Sequence, residues 1–373
     1  KSSAAILFDL EKFFDTVHPL VQLERCRLTS YPDRDLQFAL QQHMAPRVLQ
    51  VAGISGDPIQ ISNGILPGCL HSKPFTAALN NETIIDCNVI DNLETFGYID
   101  DVVQISFHEQ VDKVVEACIK GAVKISNSFK KLKLIISPKS ATVASSSAVA
   151  KQIVKELQSN HSIKLRVLES TRDLGIEFHA GKKKKFRTCF LDRVLKSKHR
   201  ARRVRTLTRT NRRASRMFKS GVYPQSMWGH QAVGVPPPEV ATLRRQAASC
   251  SGMLQTGRCA TTAIFVSQGR RGDPWQKLVG ELITSWFLVL PSILLKVSFN
   301  QLQWVWAQAK KVVFDPILKL VRWNKVTSML TNVVAVIYSI GWTPTMPNLW
   351  HDEGANSWVL PGGSFPCILV VRA

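Results

Sequence analysis

Two adjacent carboxylates, Asp100 and Asp101, lie in the segment Thr95-Phe-Gly-Tyr-Ile-Asp-Asp-Val-Val-Gln-Ile-Ser106. Phe96, Tyr98 and Ile99 precede them and Val102, Val103 and Ile105 follow. The period-2 rule predicts two short strands joined by a tight turn that carries both acids. By itself an Asp-Asp turn is a solvated hairpin tip, because the Asp side chain bonds nearby backbone. A third acid changes the chemistry in view. Residues 4–8 read as a buried strand, and Asp9 sits where that strand ends. A carboxylate there either caps the following turn or joins the distant pair as an oxygen ligand. Carboxylates rather than His or Cys suit hard cations. Magnesium takes oxygen ligands at near-octahedral geometry, and two such ions can align a nucleophile, a phosphoryl group and its leaving group.

The elements that must position these acids follow from hydrophobic spacing. Residues 1 to about 145 alternate strand-like and helical stretches, which predicts an α+β fold. The stretch 19–51 is mostly helical, with Pro32 and Pro46 breaking it into pieces. The stretch 111–132 is an amphipathic helix, with Val114, Val115, Cys118, Ile119, Ala122, Val123 and Ile125 on or near one face. The Ser-rich 144–150 is expected as a loop, 151–158 as a short helix and 164–178 as a hairpin.

In motifs and their order the chain resembles the reverse transcriptases, most closely those of non-LTR retrotransposons. Asp9-Leu-Glu-Lys-Phe-Phe-Asp15-Thr-Val is similar to that family's first palm motif, and Tyr98-Ile-Asp-Asp101 to its Tyr-x-Asp-Asp signature. Gly64-Ile-Leu-Pro-Gly-Cys-Leu-His-Ser72 resembles the Gly-x-x-Gln-Gly-x-x-x-Ser motif under template and incoming nucleotide. Leu132-Lys-Leu-Ile-Ile-Ser-Pro-Lys139 resembles the fourth motif, a strand ending in Lys, and Arg172-Asp-Leu-Gly-Ile176 the hairpin that grips the primer.

The resemblance implies a right-hand polymerase palm, an antiparallel sheet with packed helices, followed by a mostly helical thumb and C-terminal region. It divides the chain into a palm (1–145), the end of the palm with a primer-grip-like hairpin (146–180), a basic helical thumb (181–235) and a helical, Trp-rich C-terminal domain (236–373). The implied activity is RNA-directed DNA synthesis, with an RNA template, a DNA primer and deoxynucleoside triphosphates as partners. Asp9 and Asp100 are then ligands of two Mg2+ ions, which Mn2+ could replace, and Asp101 is the supporting carboxylate. Phe14 falls where the family sets an aromatic ring against the sugar 2′ carbon, excluding a 2′ hydroxyl. Gly64, Gly68, Ser72 and Tyr98 fall at nucleotide-contacting positions, and Leu174-Gly175 at the primer grip. Lys139 would donate a proton to the leaving pyrophosphate, whereas Asp15 reads as a structural cap.

Three residues depart from the pattern. Pro67 replaces the second motif's Gln, Lys73 separates Ser72 from Pro74, and Phe13 fills a place where the family often has a small residue, crowding the nucleotide pocket. The family also has a fingers region before its first palm motif, and here only eight residues precede Asp9, so the expectation is a fragment of a longer frame or a decayed element.

The net charge of +22 and pI near 9.9 mark a polyanionic partner. Residues 182–219 hold about 17 Lys and Arg against one Asp: Lys182, Lys183, Lys184 and Lys185, then Arg200, Arg202, Arg203 and Arg205, then Arg212 and Arg213. Leu191, Val194, Leu195, Val204, Leu207 and Met217 among them predict a helix with a narrow apolar stripe lying along a template–primer duplex, whose binding should be steeply salt-dependent. Such a run also serves as a nuclear localisation signal.

The eight Cys show no zinc-ligand spacing and fit a reducing compartment, nuclear or cytoplasmic rather than secreted. The apolar run 282–295 is short for a membrane span and predicts a buried helix, with no membrane partner. The Trp residues 275, 286, 304, 306 and 323 read as core rather than base-stacking platforms. The alternative to a polymerase is a catalytically inactive relative that only binds nucleic acid. A third reading, promotion of RNA folding or splicing, rests on the basic block alone.

Overall fold

Ala4, Ile6 and Phe8 are buried on one face of the first strand, β1 (Ser2–Phe8), as period-2 burial requires. The computed structural model of the protein describes residues 2–179, 188–253, 257, 259–269 and 272–359. They belong to two units, Lys1–Phe186 and Arg187–Ala373.

In the first unit β1 leads into α1 (Phe13–Thr16), α2 (Pro19–Leu28), α3 (Asp33–Met44) and a small hairpin of β2 (Gln50–Val51) and β3 (Ile54–Ser55). Then come α4 (Ser72–Asn88), β4 (Leu93–Tyr98), β5 (Asp101–His108), α5 (Val111–Lys131), β6 (Ala141–Ala144), α6 (Ser147–His161) and β7 (Arg166–Val167). A separate hairpin of β8 (Ser170–Asp173) and β9 (Ile176–His179) closes the unit. The main sheet has the order β4-β5-β1-β6-β7. Its pairs are antiparallel except β6–β7, which is parallel. The sheet is therefore mixed, where a wholly antiparallel one was expected. The helical crossover α6 returns the chain in the same direction, and residues 166–167, expected in a hairpin, join β6 instead.

Helix α5 buries Val114, Cys118, Ala122, Ile125 and Phe129, one stripe at i, i+3/i+4 spacing, in the same core as Ile6 and Phe8. Each large apolar side chain so buried contributes roughly 1.5–3 kcal/mol relative to exposure. Gly121 is required for this approach, because a Cβ there would collide with Leu93 and Gln104 of the sheet. The Ser-rich stretch is only partly the loop expected. Ser146 caps α6 by accepting from the Val149 N–H at 3.4 Å, so the helix begins at Ser147.

The second unit is mostly helical. It contains α7 (Thr188–Thr210), a 3₁₀ turn (Arg212–Arg216), a π-helical turn (Phe218–Val222), α8 (Tyr223–Met227), α9 (His230–Val233), α10 (Pro237–Ser249) and α11 (Ala260–Gln268). The helices α12 (Pro274–Leu294), α13 (Phe299–Val313) and α14 (Met329–Ser339) follow. It is not all helix. The strands β10 (Phe314–Asp315) and β11 (Leu320–Val321) pair, and β12 (Thr343–Met346), β13 (Leu349–His351) and β14 (Ser357–Val359) form an antiparallel sheet.

Trp286, Trp306 and Trp350 are fully buried in this unit's core. The indole N–H groups of Trp286 and Trp306 donate to Pro347 O and Pro344 O at 2.9 and 3.0 Å, and their rings lie 5.4 Å apart. Trp304, by contrast, is 66% exposed. Helix α12 starts earlier than the apolar run suggested, because Asp273 caps it through the Trp275 N–H at 2.8 Å. By length and composition it is the one helix among the described residues that could cross a membrane. Leu278, Leu282, Ile283, Trp286 and Leu290 nevertheless form a stripe in the unit's core.

Candidate functional site

The sheet register gathers the predicted carboxylates at one end of neighbouring strands. Phe8 pairs with Val102 and Tyr98 with Asp101, so Asp9 follows the last paired residue of β1 while Asp101 opens β5. Ile99 and Asp100 alone form the turn, so one of the two acids is a strand residue rather than a turn residue. All three carboxylates are partly exposed. The turn is backbone-strained: Ile99 has φ +58°, a conformation costly for a β-branched side chain, while Asp100 keeps a negative φ. Buried Asn80 on α4 donates from Nδ2 to the Ile99 carbonyl at 3.1 Å and pins the turn. Asn80 escaped sequence reading, since a lone Asn in a helix has no pattern.

Asp9 is fixed through its backbone. Its N–H donates to Ser140 Oγ at 3.0 Å, and its carbonyl accepts from the Ser137 N–H at 2.8 Å. Leu10 bridges Ile136, and the Glu11 N–H donates to Ile135 O. The segment that clasps Asp9 carries Lys139, which is exposed; its N–H reaches Ser137 Oγ and its carbonyl accepts from Arg166 Nη2 at 2.9 Å. The structure thus brings the first and fourth motifs together.

The second motif docks on the first. Phe14 O accepts from the Ile65 N–H at 2.7 Å, and the Gly64 N–H donates to Val17 O at 2.8 Å. Gly64 has φ +104°, and a Cβ there would lie 2.9 Å from Phe14 O, so only glycine fits. Gly68 also has positive φ, at +81°, but nothing lies close to it. Phe13 is 2% exposed and Phe14 partly exposed, their rings meeting edge to face. Phe13 belongs to the first unit's core.

Ser72 is buried with its hydroxyl on Leu66 O, so it shapes the loop from within. Lys73 places Nζ 5.1 Å from the centre of the Tyr98 ring, a cation–π contact worth about 0.5–1 kcal/mol at an exposed site. Below the loop, buried His43 accepts the Leu66 N–H on Nδ1 at 3.1 Å. Burial holds His43 below its ordinary pKa, with His71 and Arg47 acting in the same direction. Tyr31 Oη and His71 Nδ1 are 2.8 Å apart.

The hairpin β8–β9 turns on Leu174 and Gly175, with φ +45° and +80°. Two positive values mark the type I′ turn that suits a two-residue hairpin.

In the second unit Arg200, Arg202, Arg203 and Arg205 lie on α7, and Arg212 and Arg213 on the following turn, all exposed. Lys182, Lys183, Lys184 and Lys185 lie outside the described residues. The buried stripe of α7 differs from the expected one. Phe190, Ser197, Ala201, Val204 and Thr208 are buried and Val194 partly so, whereas Leu191, Leu195 and Leu207 are exposed. The stripe keeps a helical spacing but is carried by small residues. Ser197 and Thr208 satisfy their hydroxyls on the carbonyls of Val194 and Arg205 at 2.8 Å each.

Oxygen donors alone mark the carboxylate end for a hard cation, but among the described residues no three His, Cys, Asp or Glu side chains converge on one metal position. Magnesium bound with phosphates needs only one or two protein carboxylates, the substrate supplying further oxygens, so this donor set fits such an ion. What the fold defines is an α+β unit with partly exposed carboxylates at one end of a mixed sheet, and a basic, mostly helical unit after it. No protein-family model matches this chain, and no curated protein matches it either.

Proposed function

We propose that the protein is an RNA-directed DNA polymerase whose first unit is the palm, with Mg2+ and deoxynucleoside triphosphates as cofactor and substrate. The observation that carries this reading is the register that puts Asp9 and the Asp100–Asp101 turn at the same end of adjacent strands. Asp9 and the Asp100–Asp101 pair would hold magnesium, which supplies charge stabilisation for phosphoryl transfer. The clasp around Asp9 and the Asn80 bond to Ile99 hold both carboxylate-bearing segments before substrate arrives, so little reorganisation is left for the reaction. Phe14, beside the tight Gly64 contact, would lie against the sugar and exclude a 2′ hydroxyl. Lys139, exposed on the segment that clasps Asp9, would carry the proton to the departing pyrophosphate. The exposed arginines of α7 would neutralise template–primer phosphates.

Primer extension on an RNA template with Mg2+ tests the reading, with Asp100→Asn as comparison. Extension by the parent and none by the variant supports it. If neither extends while both bind duplex in a salt-sensitive way, a nucleic-acid-binding protein without catalysis takes its place. One observation favours that second reading: Pro67 stands where a side-chain amide is expected.

A further inference from the structure

The second unit contains a cavity of about 820 Å³ that the carboxylate chemistry does not involve. It opens where the end of α7, the Arg212–Arg216 turn, the turn following α10 and helix α11 meet. Arg205, Arg209, Arg212, Arg213 and Arg216 line it, and no Asp or Glu among the described residues does. Arg209 could be explained as a basic residue in the last turn of α7, answering the helix dipole. Arg213 and Arg216 likewise fall in the last turn of the short 3₁₀ segment, but helix ends do not account for five arginines around one concavity. Of the five hydroxyls that line it, those of Thr208, Ser215, Ser249 and Ser267 donate to the carbonyls of Arg205, Ser267, Gln246 and Ala263, and Ser251 Oγ accepts from the Met253 N–H. Recognition of an anion in the cavity therefore falls chiefly to the guanidinium groups.

Several guanidinium groups around one concavity repel each other unless a compact polyanion joins them. A nucleic-acid backbone passing along a helix brings one charge per nucleotide and is met by exposed arginines on a convex face, as on α7. A concavity of this volume is of ligand-pocket size. Guanidinium forks match phosphate oxygens bidentately, and adjacent phosphates are the compact form of that charge. We propose that this cavity receives a terminal polyphosphate group, the 5′-triphosphate end of a nucleic-acid strand. The inference rests on the nucleic-acid-binding reading above. A free nucleoside triphosphate offers the same chemistry from another source.

Fluorescence anisotropy with the full chain decides it, using one labelled oligoribonucleotide sequence with either a 5′-triphosphate or a 5′-hydroxyl. The expected result is binding of the triphosphate end tighter by about tenfold, as several charge-assisted contacts would give. In an Arg209→Ala/Arg216→Ala variant the preference should shrink to about twofold or less, while 5′-hydroxyl affinity falls by only about threefold, since phosphates elsewhere are still met. Inorganic tripolyphosphate in excess should abolish the preference. If a nucleoside triphosphate competes far better than tripolyphosphate, base and sugar are being read and the strand-end proposal is overturned.

Equal affinity for both ends in the parent also overturns the proposal, and leaves the nucleic-acid reading standing. Binding of neither oligonucleotide overturns that reading instead. Calorimetry with tripolyphosphate alone then judges the cavity: saturable binding lost in the double variant supports the phosphate receptor, and no binding removes it.

Discussion

The two units place their charged groups by opposite means. At the carboxylate end of the first unit, the acids sit on segments held by named bonds: the clasp of Ser137 and Ser140 on Asp9, the Asn80 bond on Ile99 and the Ile65 N–H bond to Phe14 O. On the second unit exposed arginines follow one another along α7 over a stripe of buried residues, with Arg200 Nη1 donating to Gly221 O at 3.3 Å. A site that must hold reacting atoms within a fraction of an ångström needs the first kind of support. A surface that neutralises phosphates needs charge density and tolerates loose positioning. A single substitution should therefore be severe in the first unit's site and mild on the second unit's face.

The widest separation should come from Asp100→Asn. Under the polymerase reading, extension falls by about 10²–10³-fold or more, on the scale of removing a preorganised electrostatic group. Duplex affinity of the same variant stays within about twofold, since it alters no phosphate contact. An Arg202→Ala variant should do the reverse, with extension nearly intact at low salt and a salt dependence shallower by about one phosphate. Equal loss of extension in both variants would break the contrast.

Stability separates the units next. Asp273 is buried, caps α12 and takes a bidentate bond from Arg244, with Nε and Nη2 at 2.7–3.1 Å from its two oxygens. Asp273→Ala removes the cap and leaves Arg244 without its partner, costing about 3 kcal/mol. Urea denaturation followed by Trp fluorescence should show it, because the second unit's buried Trp286, Trp306 and Trp350 report its core. Amide exchange at Ile65 and Gly64, bonded to Phe14 O and Val17 O in the first unit, should be unchanged. A loss under 1 kcal/mol would mean that water replaces the Arg244 pairing.

How much of this was legible depends on where each signal resides. The β4–β5 hairpin, β1 and α5 follow from apolar periods, and the acids' shared strand end follows from motif order. The bonds that fix the acids did not show. Asn80, Ser137 and Ser140 act through single hydrogen bonds with partners up to 131 positions away, and no local pattern marks them. The stripe of α7 is hidden from a period read on large apolar residues, because Ser197, Ala201 and Thr208 carry much of it. The two residues of β7 hold too little pattern to choose between a hairpin neighbour in sequence and the parallel partner they take across a helix.

Acidification should act on both units with the same sign but through different bonds. Buried His43 and His230 are both held below the ordinary His pKa, chiefly by desolvation. Below about 6.5 the unfolded histidine binds a proton that the folded one refuses, so stability is full above that pH and falls as pH drops toward the folded pKa. The slope approaches about 1.4 kcal/mol per pH unit for each such group. In the first unit the loss should surface at the loop, because protonated Nδ1 cannot accept the Leu66 N–H. Amide exchange at Leu66 between pH 7 and 5 should accelerate beyond the intrinsic pH effect. His43→Asn keeps an acceptor there without the titration and should flatten the response. An unaltered response in His43→Asn would assign it to another group.

The smallest effect sharpens the contrast most, because it sets stability against function at one residue. Ile99 holds φ +58°, which costs a β-branched residue roughly 1–2 kcal/mol. Glycine removes that strain but adds roughly 0.5–1 kcal/mol of backbone entropy to be lost on folding, and gives up a half-buried side chain. With about half of a buried isoleucine's contribution lost as well, the balance for Ile99→Gly lies near zero, within about 1 kcal/mol either way. Extension should fall all the same, because a glycine turn holds Asp100 in less defined directions. A variant at least as stable as the parent and slower by about tenfold would mark the strained turn as a positioning device. A variant stable and equally fast would show that the Asn80 bond and the strand pairing suffice to aim Asp100, and that Ile99 adds only strain.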